Sequence, residues 1–165
     1  MTAAPGTGFL SVAIRLAAAS ALSYSGISKG ADASGFAEIL RSHDRWLLSG
    51  IAGPSVALIV GVLEIAIGIF AMAPGILCRS TQQIRIAAHA VLSGAWALLA
   101  AYAAWMLIEP PPTAVACGCG IGGRADAANW GMIVIRNGVV AVLVLCAAWM
   151  PVSMLRRTAP ADAVS

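Results

Sequence analysis

Four long apolar stretches alternate with short polar segments along the chain, at about residues 9–28, 47–73, 84–108 and 131–155. About 20 mostly apolar residues in a helix are enough to cross a hydrocarbon core of ~30 Å. Inside lipid the backbone polar groups must be paired within the segment, which favours helices. The pattern therefore predicts an all-α integral membrane protein with one domain, a four-helix transmembrane bundle over residues 1–155, and a disordered tail at residues 156–165.

Tryptophans mark the ends of these stretches. One opens the second stretch, one closes the third, one opens the fourth and one lies near its far end: Trp46, Trp105, Trp130 and Trp149. Indole rings favour the membrane–water interface, because the ring is apolar and its N–H stays hydrated. An even number of spans places both termini on the same side of the membrane.

The first stretch is predicted to be a retained helix and not a secretory signal. Residues 1–8 carry no positive charge, and Arg15 interrupts the apolar run. Small residues four apart predict a face that another helix can approach closely: Ala17, Ala21 and Ser25. Residues 36–40 then predict a short amphipathic helix on the membrane surface, with Asp32 or Ser34 as its N-cap.

The second stretch carries small residues and one carboxylate at helical steps of four, three, four and three: Ala57, Gly61, Glu64, Gly68 and Ala71. Residues at this spacing share one face of a helix. Small residues allow close helix contact in lipid, where packing replaces the hydrophobic effect. We therefore expect the Glu64 side chain to point into the bundle.

The composition agrees with a membrane protein and excludes one class of partner. Hydrophobic residues make up 60% of the chain and charged residues 10%, with a net charge of +3. A soluble domain has roughly 25% charged residues. The Lys and Arg residues are scattered singly or in pairs, so no basic patch for nucleic acid is present.

Two of the four cysteines, Cys117 and Cys119, lie one residue apart in a glycine-rich loop between the third and fourth stretches. A Cys-x-Cys disulfide closes a tight ring that exchanges readily, so a redox pair is the first interpretation. The alternatives are cross-linking to a partner, a metal site and no role. A metal is disfavoured because two ligands are too few. Cys78 should lie at the opposite surface, and Cys146 should be a small buried hydrophobe.

The orientation in the membrane follows from this chemistry. The Lys and Arg residues beside the spans divide equally between the two sides, so the positive-inside rule gives no preference. A thiol pair that cycles through a disulfide belongs in an oxidising space such as the periplasm. We therefore expect a multi-pass protein of the bacterial inner membrane, with a periplasmic cysteine loop and both termini in the cytoplasm.

Three polar residues within the spans form a second candidate group. Counted along the helices, Arg15, Glu64 and His89 lie at depths of about 9, 13 and 8 Å from the same side. Arg15 is expected to reach Glu64, either as a structural ion pair or as part of a quinone or proton site. Arg136, beneath the cysteine loop, is expected to stabilise a thiolate or to snorkel to the headgroups.

These residues resemble the pattern of the methylamine-utilisation protein MauE family, within a broader DoxX-like group of four-helix membrane proteins. The resemblance covers nearly the whole chain, and only its cysteine motif is specific. The matching positions are Ser25-Gly26 with Lys29 and Asp32, Phe36 and Leu40, Glu64 with Gly68, Cys117-Gly-Cys119-Gly, and Arg136-Asn137. Where the family usually reads Cys-Gly-Cys-Phe-Gly, this chain has Gly120 and Ile121 after the second cysteine.

The resemblance implies a membrane accessory protein that supports disulfide formation or maturation of a periplasmic partner, such as an amine dehydrogenase subunit. Cys117 and Cys119 would then be the redox residues, with a thioredoxin-like protein as a further partner. Two alternatives stay open: a non-catalytic subunit of a larger membrane complex, and a quinone-linked subunit in which Glu64 and His89 matter more than the cysteines. Quinone is the one cofactor that these alternatives bring in.

Overall fold

The computed structural model describes residues 7–43, 53–76, 82–108 and 129–149. Five helices account for almost all of them: α1 (Thr7–Ala31), α2 (Ala33–His43), α3 (Pro54–Ile76), α4 (Gln82–Ile108) and α5 (Trp130–Ala148). No strand occurs among these residues. Four of the helices, α1, α3, α4 and α5, are long and apolar enough to cross a membrane. The predicted all-α membrane bundle is confirmed, and the protein is a multi-pass membrane protein.

The helix ends differ from the predicted span ends at two informative places. α1 continues to Ala31, so Lys29 belongs to the helix and not to the connection that follows it. α5 ends at Ala148, where Trp149 caps it and donates its backbone N–H to the Cys146 carbonyl at 3.1 Å. Pro151 follows closely in the sequence, and helices usually end at or before the residue preceding a proline.

The short helix α2 begins at a well-formed cap. The Asp32 carboxylate accepts the backbone N–H of Gly35 at 3.0 Å, which satisfies one of the amide groups that a helix start leaves unpaired. Asp32, one of the two predicted caps, is therefore the N-cap. α2 packs mainly against α3, with Ala37 buried between them. Its predicted position on the membrane surface stays a prediction.

Helices α1 and α3 run antiparallel and touch through their backbones. A Cβ atom on Gly26 would lie 2.5 Å from the Gly61 carbonyl oxygen, and one on Gly61 would lie 2.8 Å from the Gly26 carbonyl oxygen. Further along, Gly68 of α3 faces Ala19 and Ser23 of α1. Glycine is required at these crossings because any side chain would force the two backbones apart.

The predicted seam on α3 is confirmed, since all five of its residues are buried. The predicted face of α1 is confirmed in part, since Ser25 is buried and Ala21 packs partly buried against the core. Ala17 is exposed, and the neighbouring residues Ala18, Ala19 and Leu22 are buried in its place. Nearly every residue in this part of α1 is small, so the spacing of small residues does not single out one face.

The second pair of spans, α4 and α5, is also antiparallel. The Ser93 hydroxyl donates to the Ala141 carbonyl at 2.9 Å. Near the start of α5, Trp130 packs on Ala103 and Met106 and meets the Tyr102 ring edge-on, with centroids 6.3 Å apart. Two apolar clusters result, one at this contact and one between all four spans around Ala19, Leu22, Leu92, Trp96 and Val144.

The bundle therefore has two ends, named here after the residues that mark them. The Thr7 end holds the first residues of α1 and α4 and the last residues of α3 and α5. The Trp130 end holds the opposite helix ends, and the segment with Cys117 and Cys119 connects α4 to α5 on that side. Large side chains such as Phe9, Leu98 and Ile108 point outwards, while the interior is rich in alanine. Lipid solvates large apolar groups, and small residues let the helices approach.

Candidate functional site

The best-formed polar site joins α1 to α3 through Lys29 and Glu64. The Lys29 ammonium donates to both carboxylate oxygens of Glu64 at 2.6 Å. It donates also to the Ser25 hydroxyl at 2.7 Å, one helical turn back. These three contacts match the three N–H donors of an ammonium group. Both charged side chains are buried, and each compensates the transfer of the other from water.

The directions of the two helices explain why these side chains meet. Side chains on an α-helix lean toward its N-terminus. Lys29, near the C-terminal end of α1, therefore leans toward the Thr7 end of the bundle. Glu64 belongs to the antiparallel α3 and leans toward the Trp130 end, where it meets Lys29. The Gly26 and Gly61 contact brings the two backbones close enough for the pair to form without an intervening side chain.

The helix α2 completes this site. The Lys29 ammonium lies over the Phe36 ring, 5.3 Å from its centroid. A cation over an aromatic face is attracted by the ring quadrupole, more strongly where water is excluded. We call Ser25, Lys29, Phe36 and Glu64 the ion-pair site. It ties three helices together on the half of the bundle nearer the Trp130 end.

The predicted pairing of Glu64 with Arg15 is wrong. Glu64 packs level with Gly26, whose Cβ atom would lie 3.1 Å from that of Glu64. Arg15 lies eleven residues earlier on α1, which places it about 16 Å further along the helix axis. Arg15 also leans away from Glu64, toward the Thr7 end. The sequence analysis did not pair Lys29 with Glu64, because the predicted first stretch ends at residue 28.

Arg15 and His89, the other two residues of the predicted polar group, do lie together near the Thr7 end. Ala18 of α1 and Leu92 of α4 belong to one buried cluster, and Arg15 and His89 lie three residues before them on these two parallel helices. At this level the charges of Arg15 and Arg85 oppose each other, and both disfavour a charge on His89. We call Arg15, Arg85 and His89 the basic cluster. Arg85, which the sequence analysis did not select, adds a second arginine beside Arg15 and His89. The three predicted residues therefore belong to two separate sites.

Arg136 lies on the α5 half nearer the Trp130 end, partly buried. Its Nε donates to the side-chain oxygen of its neighbour Asn137 at 3.1 Å, and Asn137 is fully buried. Any contact between Arg136 and the cysteine loop lies outside the described residues, so its predicted role toward a thiolate stays a prediction.

The cysteines are placed unevenly. Cys117, Cys119 and Cys78 lie outside the described residues. Cys146 is a free thiol on the exposed side of α5, so its predicted burial inside the bundle is wrong. In a bilayer that side faces lipid, where a small apolar thiol is equally compatible. Within the described ranges, no group of three His, Cys, Asp or Glu residues could hold a metal ion.

The fold and these sites define an integral membrane protein of four apolar helices, with an ion pair at one interhelical contact and a cysteine pair in one connecting segment. The family model described as methylamine utilisation protein MauE matches residues 7–150. The chain therefore belongs to the MauE family. Comparison with curated proteins and with solved structures gives no match.

Proposed function

We propose that this chain is a membrane thiol–disulfide accessory protein whose exchanging residues are Cys117 and Cys119. The observation that carries the proposal is the pair itself, spaced as Cys-Gly-Cys within the stretch that matches the MauE family. Its client would be a partner that acquires disulfides during maturation, such as an amine dehydrogenase subunit. The family description, methylamine utilisation, supports this class of client.

The proposed step is a thiol–disulfide exchange between two client thiols and the Cys117–Cys119 disulfide. A client thiolate attacks one sulfur of the Cys117–Cys119 disulfide and forms a mixed disulfide, and the second client thiolate then displaces the cysteine. Two electrons and two protons pass from the client, which gains a disulfide, to the cysteine pair, which becomes two thiols. A thioredoxin-like protein disulfide returns the pair to its oxidised form by the reverse exchange.

The position of the pair supports a role at the membrane surface. Its segment joins the end of α4 to the start of α5, so it leaves the bundle at the Trp130 end. The ion-pair site and Arg136 lie on the same half. An oxidising compartment keeps such a disulfide formed, and we therefore propose a periplasmic cysteine segment with cytoplasmic termini in a bacterial inner membrane.

The first experiment replaces Cys117 and Cys119 by serine, singly and together, with Cys146→Ser as the matched control. Thiol mapping by mass spectrometry should find an intramolecular Cys117–Cys119 disulfide in the wild type and in the control. Each single-serine variant should accumulate a mixed disulfide with the thioredoxin-like partner through its remaining cysteine, because the second cysteine that releases this partner is missing. Client disulfide content in cells should fall in all three cysteine-pair variants.

A non-catalytic subunit makes the opposite prediction. If no disulfide forms between Cys117 and Cys119, and if the serine variants support full client maturation, the redox proposal is wrong. A quinone that co-purifies with the protein and is lost in a His89→Ala variant, but not in the cysteine variants, would favour the quinone-linked alternative instead.

A further inference from the structure

The basic cluster is the second polar feature of the bundle, and the proposed thiol chemistry does not use it. Arg15 is 2% exposed and His89 is 3% exposed. The Nε atoms of Arg15 and Arg85 and the Nε2 atom of His89 are buried with no hydrogen-bond partner among the described residues. Three buried polar atoms without partners are costly unless a further group satisfies them.

The partner of this cluster is neither of the two carboxylates whose side chains the structure describes. The two acidic side chains described there, Asp32 and Glu64, are engaged at the α2 cap and in the ion-pair site. In the sequence, Asp162 is the one acidic residue in the segments that precede α1, join α3 to α4, or follow α5. Those same segments hold Arg79, Arg156 and Arg157. By sequence, the segments joined to the helices at the Thr7 end therefore carry more cations than anions.

The geometry of His89 agrees with a site that receives a ligand. Its Nδ1 lies 2.7 Å from the Arg85 carbonyl oxygen. A carbonyl oxygen can only accept, so Nδ1 carries the proton in this contact. The contact fixes the ring on α4 and leaves Nε2 for a partner from outside the helix. The same contact holds His89 directly beside the turn that carries Arg85.

The depth of the cluster matches that of lipid headgroups. Arg85 lies three residues and Arg15 eight residues after the starts of their helices, or about 5 and 12 Å. α4 has 27 residues, so at about 40 Å it is longer than a hydrocarbon core of ~30 Å, and its ends reach the headgroup layer. Both helices start at the Thr7 end, so both arginine side chains lean toward that surface.

We propose that the basic cluster binds a phosphate group, supplied by the headgroup of an anionic phospholipid in the adjoining leaflet. The planar guanidinium groups of Arg15 and Arg85 match phosphate oxygens with charge-assisted hydrogen bonds. The bound anion offsets the mutual repulsion of the two arginines and the cost of burying them. On the third side of the site, a bound anion favours the imidazolium form of His89, in which Nδ1 keeps its contact with the Arg85 carbonyl and Nε2 donates to a phosphate oxygen. This inference does not depend on the cysteine pair.

The test uses the full chain, purified in mild detergent and stripped of lipid. Phosphatidylglycerol, diacylglycerol with the same acyl chains, and inorganic phosphate are added separately. Bound species are counted by native mass spectrometry, and the melting temperature is recorded. Phosphatidylglycerol should bind and raise the melting temperature, and diacylglycerol should not. Stabilisation by inorganic phosphate at millimolar concentration, with no preference for the lipid, would identify free phosphate as the source.

Arg15→Gln and Arg85→Gln should each weaken phosphatidylglycerol binding about tenfold, the loss expected for one charge-assisted contact. Arg41→Gln, which removes an exposed arginine on α2, controls for general attraction to anionic lipid and should leave binding unchanged. If Arg15→Gln does not fold, the half-buried Arg85 provides the second variant. The proposal is overturned if diacylglycerol stabilises equally, or if the cluster variants bind like the Arg41 control. It is overturned also if Asp162→Asn and Arg15→Gln lower the melting temperature of the lipid-stripped protein by the same amount. Asp162 would then be the counter-ion of Arg15 within the protein.

Discussion

Where the fold supplies a group of opposite charge, this bundle accommodates a buried charge without a ligand. Lys29 and Glu64 show this most clearly, because three hydrogen bonds and an aromatic face surround one ammonium group. A charge in the apolar part of a membrane is expensive, and pairing reduces that expense. The pair is worth little relative to a well-packed apolar contact of the same shape, but breaking it by removing one partner is strongly unfavourable.

Glu64→Gln should therefore destabilise the protein. Loss of one partner of a buried pair costs ~3–5 kcal/mol. Here the loss should be smaller, because Lys29 lies two residues from the end of α1 and its ammonium can snorkel to the headgroups. Thermal unfolding in detergent measures the effect for Glu64→Leu, Glu64→Gln, Lys29→Met and the double variant Lys29→Met with Glu64→Leu, whose matching single variants are Lys29→Met and Glu64→Leu.

The double variant should be more stable than either single variant, since it leaves no unpaired charge. If the two single losses simply add in the double variant, the residues do not interact and the ion pair contributes nothing to the bundle. If stability recovers in the double variant while client maturation does not, the ion-pair site has a role in function as well.

Among the helices, α1 and α3 show how far the buried face of a helix can be predicted from the sequence. The face of α3 was predictable, because small residues and one carboxylate recur at helical spacing among large apolar residues. The face of α1 was predictable only in part, because Ala17, Ala18 and Ala19 are the same residue and spacing alone does not choose between them. Burial there depends on where Gly26 meets Gly61, a contact between two helices that no periodicity within one helix encodes.

Gly26→Ala should separate α1 from α3. The new methyl group would meet the Gly61 carbonyl at 2.5 Å, so the backbones must move apart. Overpacking of this kind typically costs 1–3 kcal/mol, and here it would also lengthen the Lys29–Glu64 contact. Gly30→Ala on the same helix is the matched control, because a Cβ there meets nothing within 4 Å. The control should be neutral or more stable by about 0.5–1 kcal/mol.

Detergent melting temperatures of the two glycine variants decide this prediction. Equal stability of the Gly26 and Gly30 variants would mean that the helices are not in backbone contact. The result expected from the structure is a clear loss for Gly26→Ala alone.

The whole molecule is predictable as four apolar spans, but its polar sites are not. The spans follow from length and hydrophobicity, which act within each segment. The partner of Glu64 and the grouping of Arg15 with Arg85 depend on the level at which neighbouring helices pack. Depth counted from the end of each apolar run placed Arg15 beside Glu64, and the contact between Gly26 and Gly61 places them about 16 Å apart along the axis. The cysteine segment was identified by its motif alone.

The proposed orientation predicts which thiols are accessible from each side of the membrane. In single-cysteine variants, Cys117 should react with a membrane-impermeant maleimide in intact spheroplasts. Cys78 should react only after the membrane is opened, because its segment joins α3 to α4 at the Thr7 end. Cys146 faces lipid and should react in neither case, since the thiolate form needs water. Labelling of Cys78, but not of Cys117, in closed spheroplasts would reverse the orientation.

The ion-pair site also bears on how the chain is made. Lys29 and Glu64 are 35 residues apart and belong to spans that are synthesised one after the other. If α1 enters the bilayer first, snorkelling would keep its ammonium group near the surface until α3 follows. When α3 follows, Glu64 meets a counter-charge already in place, and neutralisation accompanies its insertion. The first two spans therefore have a reason to enter the membrane as a hairpin, before α4 and α5 are added.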